Sequence, residues 1–387
     1  HQYPETGWAE FETSRRIKDF LAKASLPEPV HVAGTGFYVD IKGRSNGSMI
    51  AYRADMDALP IHDRKECSYA SSRVGFGHLC GHDVHSVIAA GLAKLLYRYR
   101  DHLKGTVRVF WQPAEEVTPS GAPRMIKEGA LDGIEAIYGI HCDPTIPSGM
   151  FGLRPGPETA SFDTFEVHVD AESTTHSARP YEGKDTVWIA NQIIQHLYQM
   201  TGRVTDVRKP AVLSICAIHG GDALNVIPHQ VTFGGTIRTT NEQLRQQMRS
   251  YIRDITENIG SMNQVKASVR FGEGAPAVLN NEQLYRFARQ VIGGQIGDER
   301  LLEREQSIGA EDFAYYTQRF PGLFLRMGTA HDERTSYPLH HSLFDVDERV
   351  LAPSSALFSY VLIRHLSEKI LHQKPKVNSA GSLLSEL

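Results

Sequence analysis

Short, β-rich apolar runs alternate with amphipathic stretches at both ends of this chain, and that alternation restricts its fold more than any other feature. In the first part, SMIAYRAD, TVRVFWQ and AIYGIHC read as buried strands, with HSVIAAGLAKLLYRY and GAPRMIKEGAL as helices between them. Strands separated by helices pair in parallel, because a crossover of helix length carries the chain back to the same edge. After RPGPETAS the texture changes. The order becomes strand DTFEVHVDA, helix TVWIANQIIQHLYQM, strands AVLSICAIHGG and QVTFGGTIRTT, helix NEQLRQQMRSYIRDITENI and strand VKASVRF. That βαββαβ order suits a small α+β domain with helices on one face of an antiparallel sheet. Beyond GEGAPAVLN the first pattern returns, with a helix at 281–293, the strand GLFLRMG and a closing helix SALFSYVLIRHLSEKI. The expected fold is α/β, a larger domain over 1–158 and 274–387 interrupted by a smaller α+β domain over 159–273. At 387 residues the chain is long for one hydrophobic core, which agrees with two domains. The polar tail KPKVNSAGSLLSEL is expected to be loose.

Composition removes several function classes. A formal net charge of −4 leaves no basic excess for nucleic acid, and no apolar run reaches membrane-spanning length. Four scattered cysteines are too few for a disulfide framework, so a reduced, cytoplasmic setting is expected. The chain opens HQYPETGW, with neither an initiator Met nor an apolar signal region, so further residues are expected upstream. Its 18 histidines, many beside Asp, Glu or Cys, direct attention to metal chemistry.

In an open parallel sheet, ligands bind beyond the carboxyl ends of the strands. RADMDALP places Asp55 and Asp57 at one such end, WQPAEE places Glu115 and Glu116 at a second, and GIHC places His141 at a third. GHLCGHDVHS, residues 77–86, enters a helix on the same side. Thiolate, imidazole and carboxylate together suit zinc and similar divalent ions. Adjacent glutamates at a strand end divide the work of metal-assisted hydrolysis, one binding metal and the other taking a proton from an activated water. Rival readings make Cys80 a buried helix-start residue packing as a small hydrophobe, or the nucleophile of a Cys–His pair. The nucleophile reading needs no glutamate pair, and a non-enzymatic metal-binding protein needs no unbound glutamate. Asp83 reads as a helix cap or a support for the ligands. His85 reads as packing or support, His78 as structural, and Asp55 and Asp57 as turn residues or groups that orient a ligand.

RADMDALPI, CGHDVHSVIAAGLAKLL, QPAEE, GAPRMIKEGAL, GIHCDPTIPSG, GGDALNVIPHQVTFGGTIRT, GAEDFAYY and PLHHSLFDVDE occur in an order shared by one family. From HQYPE to about residue 365 the chain resembles the hippurate hydrolase and auxin-conjugate amidohydrolase group of dinuclear metallopeptidases, relatives of aminoacylases and glutamate carboxypeptidases. The resemblance implies two divalent metal ions (Zn, Mn, Co or Ni) held by Cys80, His82, Glu116, His141 and His340, with Cys80 bridging and Glu115 as general base. His340 is implied over His341 because the family's ligand lies four residues before a Phe, here Phe344. In the inserted lid domain, His176 of TTHSARP is implied as the catalytic residue that stabilises the tetrahedral oxyanion, in relatives often across a subunit boundary. Asn225 and Arg238 are implied as substrate-carboxylate binders, and bidentate geometry makes Arg238 apt.

The implied reaction cleaves the amide bond of N-acyl or N-aroyl amino acids. The alternative is a dipeptidase or carboxypeptidase of the same fold, including an aminobenzoyl-glutamate hydrolase. The implied partners are a small-molecule substrate and a second copy of the chain, as a homodimer or higher homo-oligomer through the lid domain, with neither nucleic acid nor membrane. Leu79 stands where relatives carry a small residue, Tyr181 where a second histidine is frequent, and HHSLF lacks the usual proline. These departures bear on the substrate pocket, Leu79 foremost.

Overall fold

A computed structural model describes residues 1–368, 370 and 371, and the polar C-terminal stretch lies outside them. The chain divides into two compact units. The first takes His1–Glu158, Leu279–Glu305 and the chain from Asp312 onward; the second takes Thr159–Val278 and Gln306–Glu311.

Four parallel strands form the middle of the first unit's mixed sheet, in the spatial order Lys104–Gln112, Ser45–Asp55, Ile134–Pro147 and Gly322–Ala330. Helices run between them, as the alternation requires, and an antiparallel strand, Phe37–Lys42, flanks Lys104–Gln112. Strands covered on both faces lose the polar alternation of a half-exposed sheet. Accordingly, Val107, Val109, Phe110 and Trp111 are all buried in one strand, and Ile50, Ala51 and Tyr52 in its neighbour. The helices His82–Arg98 and Leu351–Ser367 pack closely because one of them is small at the contact. A Cβ at Gly91 would stand 2.6 Å from Ser355 Oγ, whose hydroxyl donates to the Ile88 carbonyl at 3.1 Å.

The strand register does more than build a core. Asp55 pairs with Gln112, so two strands finish level with one another and release their next residues on one edge. Between them lies a charge that a purely apolar strand would not carry. The fully buried Arg53 donates to Asp55 at 2.6 Å, to Asp312 at 2.7 Å and to Gln112 at 2.9 Å. Removing one partner of such a buried pair typically costs about 3–5 kcal/mol, because the other charge is left uncompensated.

The second unit holds a four-stranded antiparallel sheet in the order Ala211–His219, Gln230–Thr239, Ser161–Asp170 and Lys266–Phe271. Two helices cover it, Thr186–Arg203 and Glu242–Met262, started by Asp185 and Asn241, whose side chains accept from the Trp188 and Leu244 amides. Leu244, Met248, Ile252 and Ile259 recur at helical spacing and pack with Phe165, Val167, Val169 and Phe233 of the sheet. The unit runs five residues past the expected boundary at 273 and gathers a separate short segment, 306–311, a long-range association with no local signal. Among the described residues, no helix is long and apolar enough to cross a membrane.

One buried group sets a pH limit on the first unit. His365 Nδ1 lies 2.5 Å from the Tyr138 hydroxyl, and burial pushes the imidazole pKa from 6.5 down to about 4. The unfolded chain therefore takes up this proton before the folded one does. The stability that depends on a neutral His365 is whole above pH 6.5 and falls as the pH drops towards 4. Urea unfolding at pH 7 and pH 4.5 should show a loss that is about 2 kcal/mol smaller in His365→Leu than in the parent protein.

Candidate metal centre

The stretch CGH opens the site because its glycine cannot be anything larger. Gly81 has φ +87°, and a Cβ there would meet Cys142 Sγ at 2.7 Å. This left-handed residue lets Cys80 end the preceding loop while His82 begins the helix His82–Arg98, with both side chains buried. His141 comes from Ile134–Pro147, and Glu115 and Glu116 follow Lys104–Gln112. His340 arrives from the loop after Gly322–Ala330, in a left-handed conformation of its own (φ +66°), its amide donating to the Leu79 carbonyl at 2.7 Å.

Hydrogen bonds decide which nitrogen each imidazole presents. His141 Nδ1 donates to the Cys142 carbonyl at 2.7 Å, which turns Nε2 towards Cys80 Sγ, 3.4 Å away. His82 Nδ1 donates to Asp57 at 3.2 Å, leaving Nε2 buried with no hydrogen-bond partner. That nitrogen is 3.9 Å from both Glu115 Oε2 and Glu116 Oε1, and Glu116 Oε1 in turn lies 3.1 Å from His340 Nε2. Asp57 does two jobs, since its other oxygen accepts the Glu116 amide at 2.9 Å. His85 is different. Its Nε2 accepts the Cys142 amide at 2.8 Å and its Nδ1 donates to Asp55 at 2.6 Å, so it has no lone pair left for a metal.

The structure thus brings Cys80, His82, Glu115, Glu116, His141 and His340 together. Donor atoms lie within 4.8 Å of one another in the sets Cys80–His82–His141, Cys80–Glu116–His340 and His82–Glu115–Glu116. His341 points elsewhere and stacks on Tyr337 at 4.7 Å. The electrostatics ask for a cation. Burial resists a charge on His82, yet Asp55 and Cys80 outweigh it and hold its pKa well above the usual value. Burial and the Glu116 carboxylate push the Cys80 thiol up, and burial holds His141 neutral. An unpartnered imidazole nitrogen, a thiol and carboxylates facing one another fit a divalent ion, whose charge would replace the protons this cluster otherwise retains.

In the second unit, His176 lies on a two-residue strand paired with Val226–Ile227. Its Nδ1 accepts the Ala178 amide at 3.1 Å, which leaves Nε2 as the ring's donor nitrogen on an exposed residue. Asn225 is its neighbour, its carbonyl accepting the Ser177 amide at 3.1 Å. Arg238 is held on a different strand, donating to the Ile308 carbonyl at 2.8 Å with its guanidinium 4.6 Å over the Phe162 ring.

Two readings change, and one pair of residues was missed. Leu79 has no exposed surface and packs in the hydrophobic core, so its contribution is the carbonyl that holds His340, and its side chain does not face an open pocket. Asp83 does not cap its helix, whose start has no side-chain cap, and pairs with His1 at 2.7 Å. Asp312 of GAEDF and Gln112 were not among the sequence candidates, yet both accept from Arg53, and the Asp312 amide donates to Glu115 Oε1 at 3.3 Å. An arginine inside an otherwise apolar strand, AYRAD, was the available signal.

These features define a metallohydrolase centre on the carboxyl edge of a parallel sheet. Residues 51–364 match peptidase family M20/M25/M40, and the chain belongs to that family. It is 37% identical over 355 residues to the N-acetyl-L-cysteine deacetylase of Bacillus subtilis, covering 92% of this chain and 83% of that protein. It is 36% identical to the IAA-amino acid hydrolase ILR1-like 2 of Arabidopsis thaliana, over 95% of this chain and 84% of the plant protein. The crystal structure of the Bacillus subtilis YXEP protein, described as a dinuclear metal-binding peptidase, superposes with a TM-score of 0.82 at 35% identity, covering 95% of each chain.

Two substitutions separate ligand from bystander. His340→Ala should weaken divalent-metal binding strongly, while His341→Ala leaves it unchanged. Asp57→Ala, which removes the support of both His82 and Glu116, should cost about 10–100-fold in metal affinity by chelator competition.

Proposed function

We propose that this protein is a metal-dependent amidohydrolase that cleaves the amide bond of N-acyl or N-aroyl amino acids. The observation that carries this reading is the glutamate pair. One carboxylate faces a histidine and a cysteine whose donor atoms converge with its own, and the other stands beside it within reach of the same imidazole. Cys80, His82, Glu116, His141 and His340 are the residues that would hold two divalent metal ions (Zn, Mn, Co or Ni). When bound, such ions polarise a scissile carbonyl and bring the pKa of a water down towards ~7.

Glu115 takes the proton from the attacking water at its carboxylate and delivers it to the leaving amine nitrogen, so one residue serves as base and then acid. Its Oε1 is oriented by the Asp312 amide, which leaves Oε2 on the side of His82. His176, with its proton on Nε2, is assigned to the developing oxyanion, and Asn225 and Arg238 to the substrate carboxylate. These three lie in the inserted unit, which we assign as a lid.

A homodimer through that unit is favoured by its outer strand. Among the described residues Ala211–His219 has a single neighbouring strand, and Val212 and Ile218 on it are about half exposed, as are Trp188 and Tyr198 on the adjoining helix. The four cysteines are unpaired, which suits a cytoplasmic enzyme.

A panel of N-acetyl, N-aroyl and indole-acetyl amino acids, run beside free dipeptides on metal-loaded protein, tests the substrate class. N-Acyl amino acids should turn over and a chelator should abolish the activity. Preference for free dipeptides would replace this reading with the dipeptidase alternative. Glu115→Gln should keep its metal and lose about 10²–10⁴-fold in kcat.

A further inference from the structure

Ala114, directly before the glutamate pair, is a non-glycine residue at φ +55°. A side chain in that region costs of order 1 kcal/mol or more and persists only where its surroundings impose it. What imposes it comes from the far end of the chain. Glu10 has no exposed surface. One carboxylate oxygen accepts the Ala114 amide at 2.8 Å, and the other accepts the Thr35 hydroxyl at 2.6 Å.

The residues before Glu10 grip the same turn. A Cβ on Gly7 would stand 2.6 Å from Val117 Cγ2 and 3.1 Å from Ala114 Cα, so this segment lies flush against the turn. Trp8 Nε1 donates to the Pro119 carbonyl at 2.9 Å. The segment also holds the neighbouring strand end, since the Glu5 carbonyl accepts the Ala58 amide at 2.7 Å, one residue after Asp57. Asp57 in turn supports His82 and the Glu116 amide. The stretch Glu5–Glu10 therefore ties together the two loops that carry the base and its supports, while contributing no atom to the site itself.

We propose that Glu10 is a positioning residue for Glu115 and Glu116, acting through the Ala114 amide, and that the segment Glu5–Glu10 is a brace without which the catalytic turn relaxes. The kinetic half of this proposal rests on the amidohydrolase reading; the conformational half does not. A carboxylate is apt here because a buried amide left unpaired would draw the turn towards another partner or towards water.

Glu10→Gln keeps an acceptor for the Ala114 amide, whereas Glu10→Met keeps the volume and loses the acceptor. Thr35→Val removes the other hydrogen bond to Glu10 and leaves Ala114 paired. Hydrogen exchange of the peptide spanning residues 113–119 should speed up at least about tenfold in Glu10→Met, from loss of one buried hydrogen bond, and stay near parental in Glu10→Gln and Thr35→Val. In parallel, kcat on the best N-acyl amino acid should fall about 10–100-fold in Glu10→Met with little change in KM, and recover in Glu10→Gln.

Unchanged exchange in Glu10→Met, or equal exchange in the Gln and Met variants, would overturn the brace. If Glu10→Met does not fold, the comparison moves to Trp8→Phe, which removes the grip on Pro119 and should also speed exchange at 113–119; parental exchange there would overturn the proposal. A parent protein inactive on every N-acyl amino acid, with the exchange pattern as expected, would overturn the function and leave the brace standing.

Discussion

The first unit is organised around one buried positive charge. Arg53 cannot sit inside a parallel strand unless its guanidinium is fully paired, and the pairs it finds come from three places far apart in sequence: Asp55 on its own strand, Gln112 at the end of the neighbouring one, and Asp312 near the start of the chain's last portion. Gln112 and Asp312 also bond to each other, and Tyr316 donates to Gln112 at 2.7 Å. This network locks the strand ends in register. From it, order passes outward. Asp55 fixes His85, His85 holds the Cys142 amide, and the Cys142 carbonyl accepts a hydrogen bond from His141 Nδ1.

Around that centre, the site is specified less by its ligands than by the groups that turn them. Each imidazole has two nitrogens, and only the bond made at Nδ1 decides which one faces the cation. Asp57 and the Cys142 carbonyl make that choice for His82 and His141, and the same accounting removes His85 from the ligand set. Backbone conformation adds the rest. Gly81, Ala114 and His340 all lie in the left-handed region, each beside a residue that would touch metal or move a proton, or itself such a residue. At the two non-glycine positions that conformation is held from outside, by Leu79 for His340 and by Glu10 for Ala114.

Much of the architecture was readable without coordinates, because local patterning and fold agree. The apolar runs SMIAYRAD and TVRVFWQ are the strands Ser45–Asp55 and Lys104–Gln112, and the 3.6-residue period of EQLRQQMRSYIRDITENI is the helix Glu242–Met262. The rule that ligands gather at the carboxyl ends of parallel strands was enough to group Glu115, Glu116, His141 and the Cys80–His82 pair on one edge. Leu79 shows where such reasoning stops. Its replacing a small residue of relatives, beside the ligands, pointed to the substrate pocket, but side-chain direction in a loop has no period, and the structure turns it into the core.

By itself, then, the sequence determined the order of elements, the interruption of one fold by another and the residue types that suit a metal, since these follow from hydrophobic period and donor chemistry. Tertiary structure alone decided the partners. Arg53 with Asp312 and Glu10 with Ala114 are choices made between residues separated by a hundred or more positions. They depend on where a buried charge or amide can find its complement, and no local pattern encodes that.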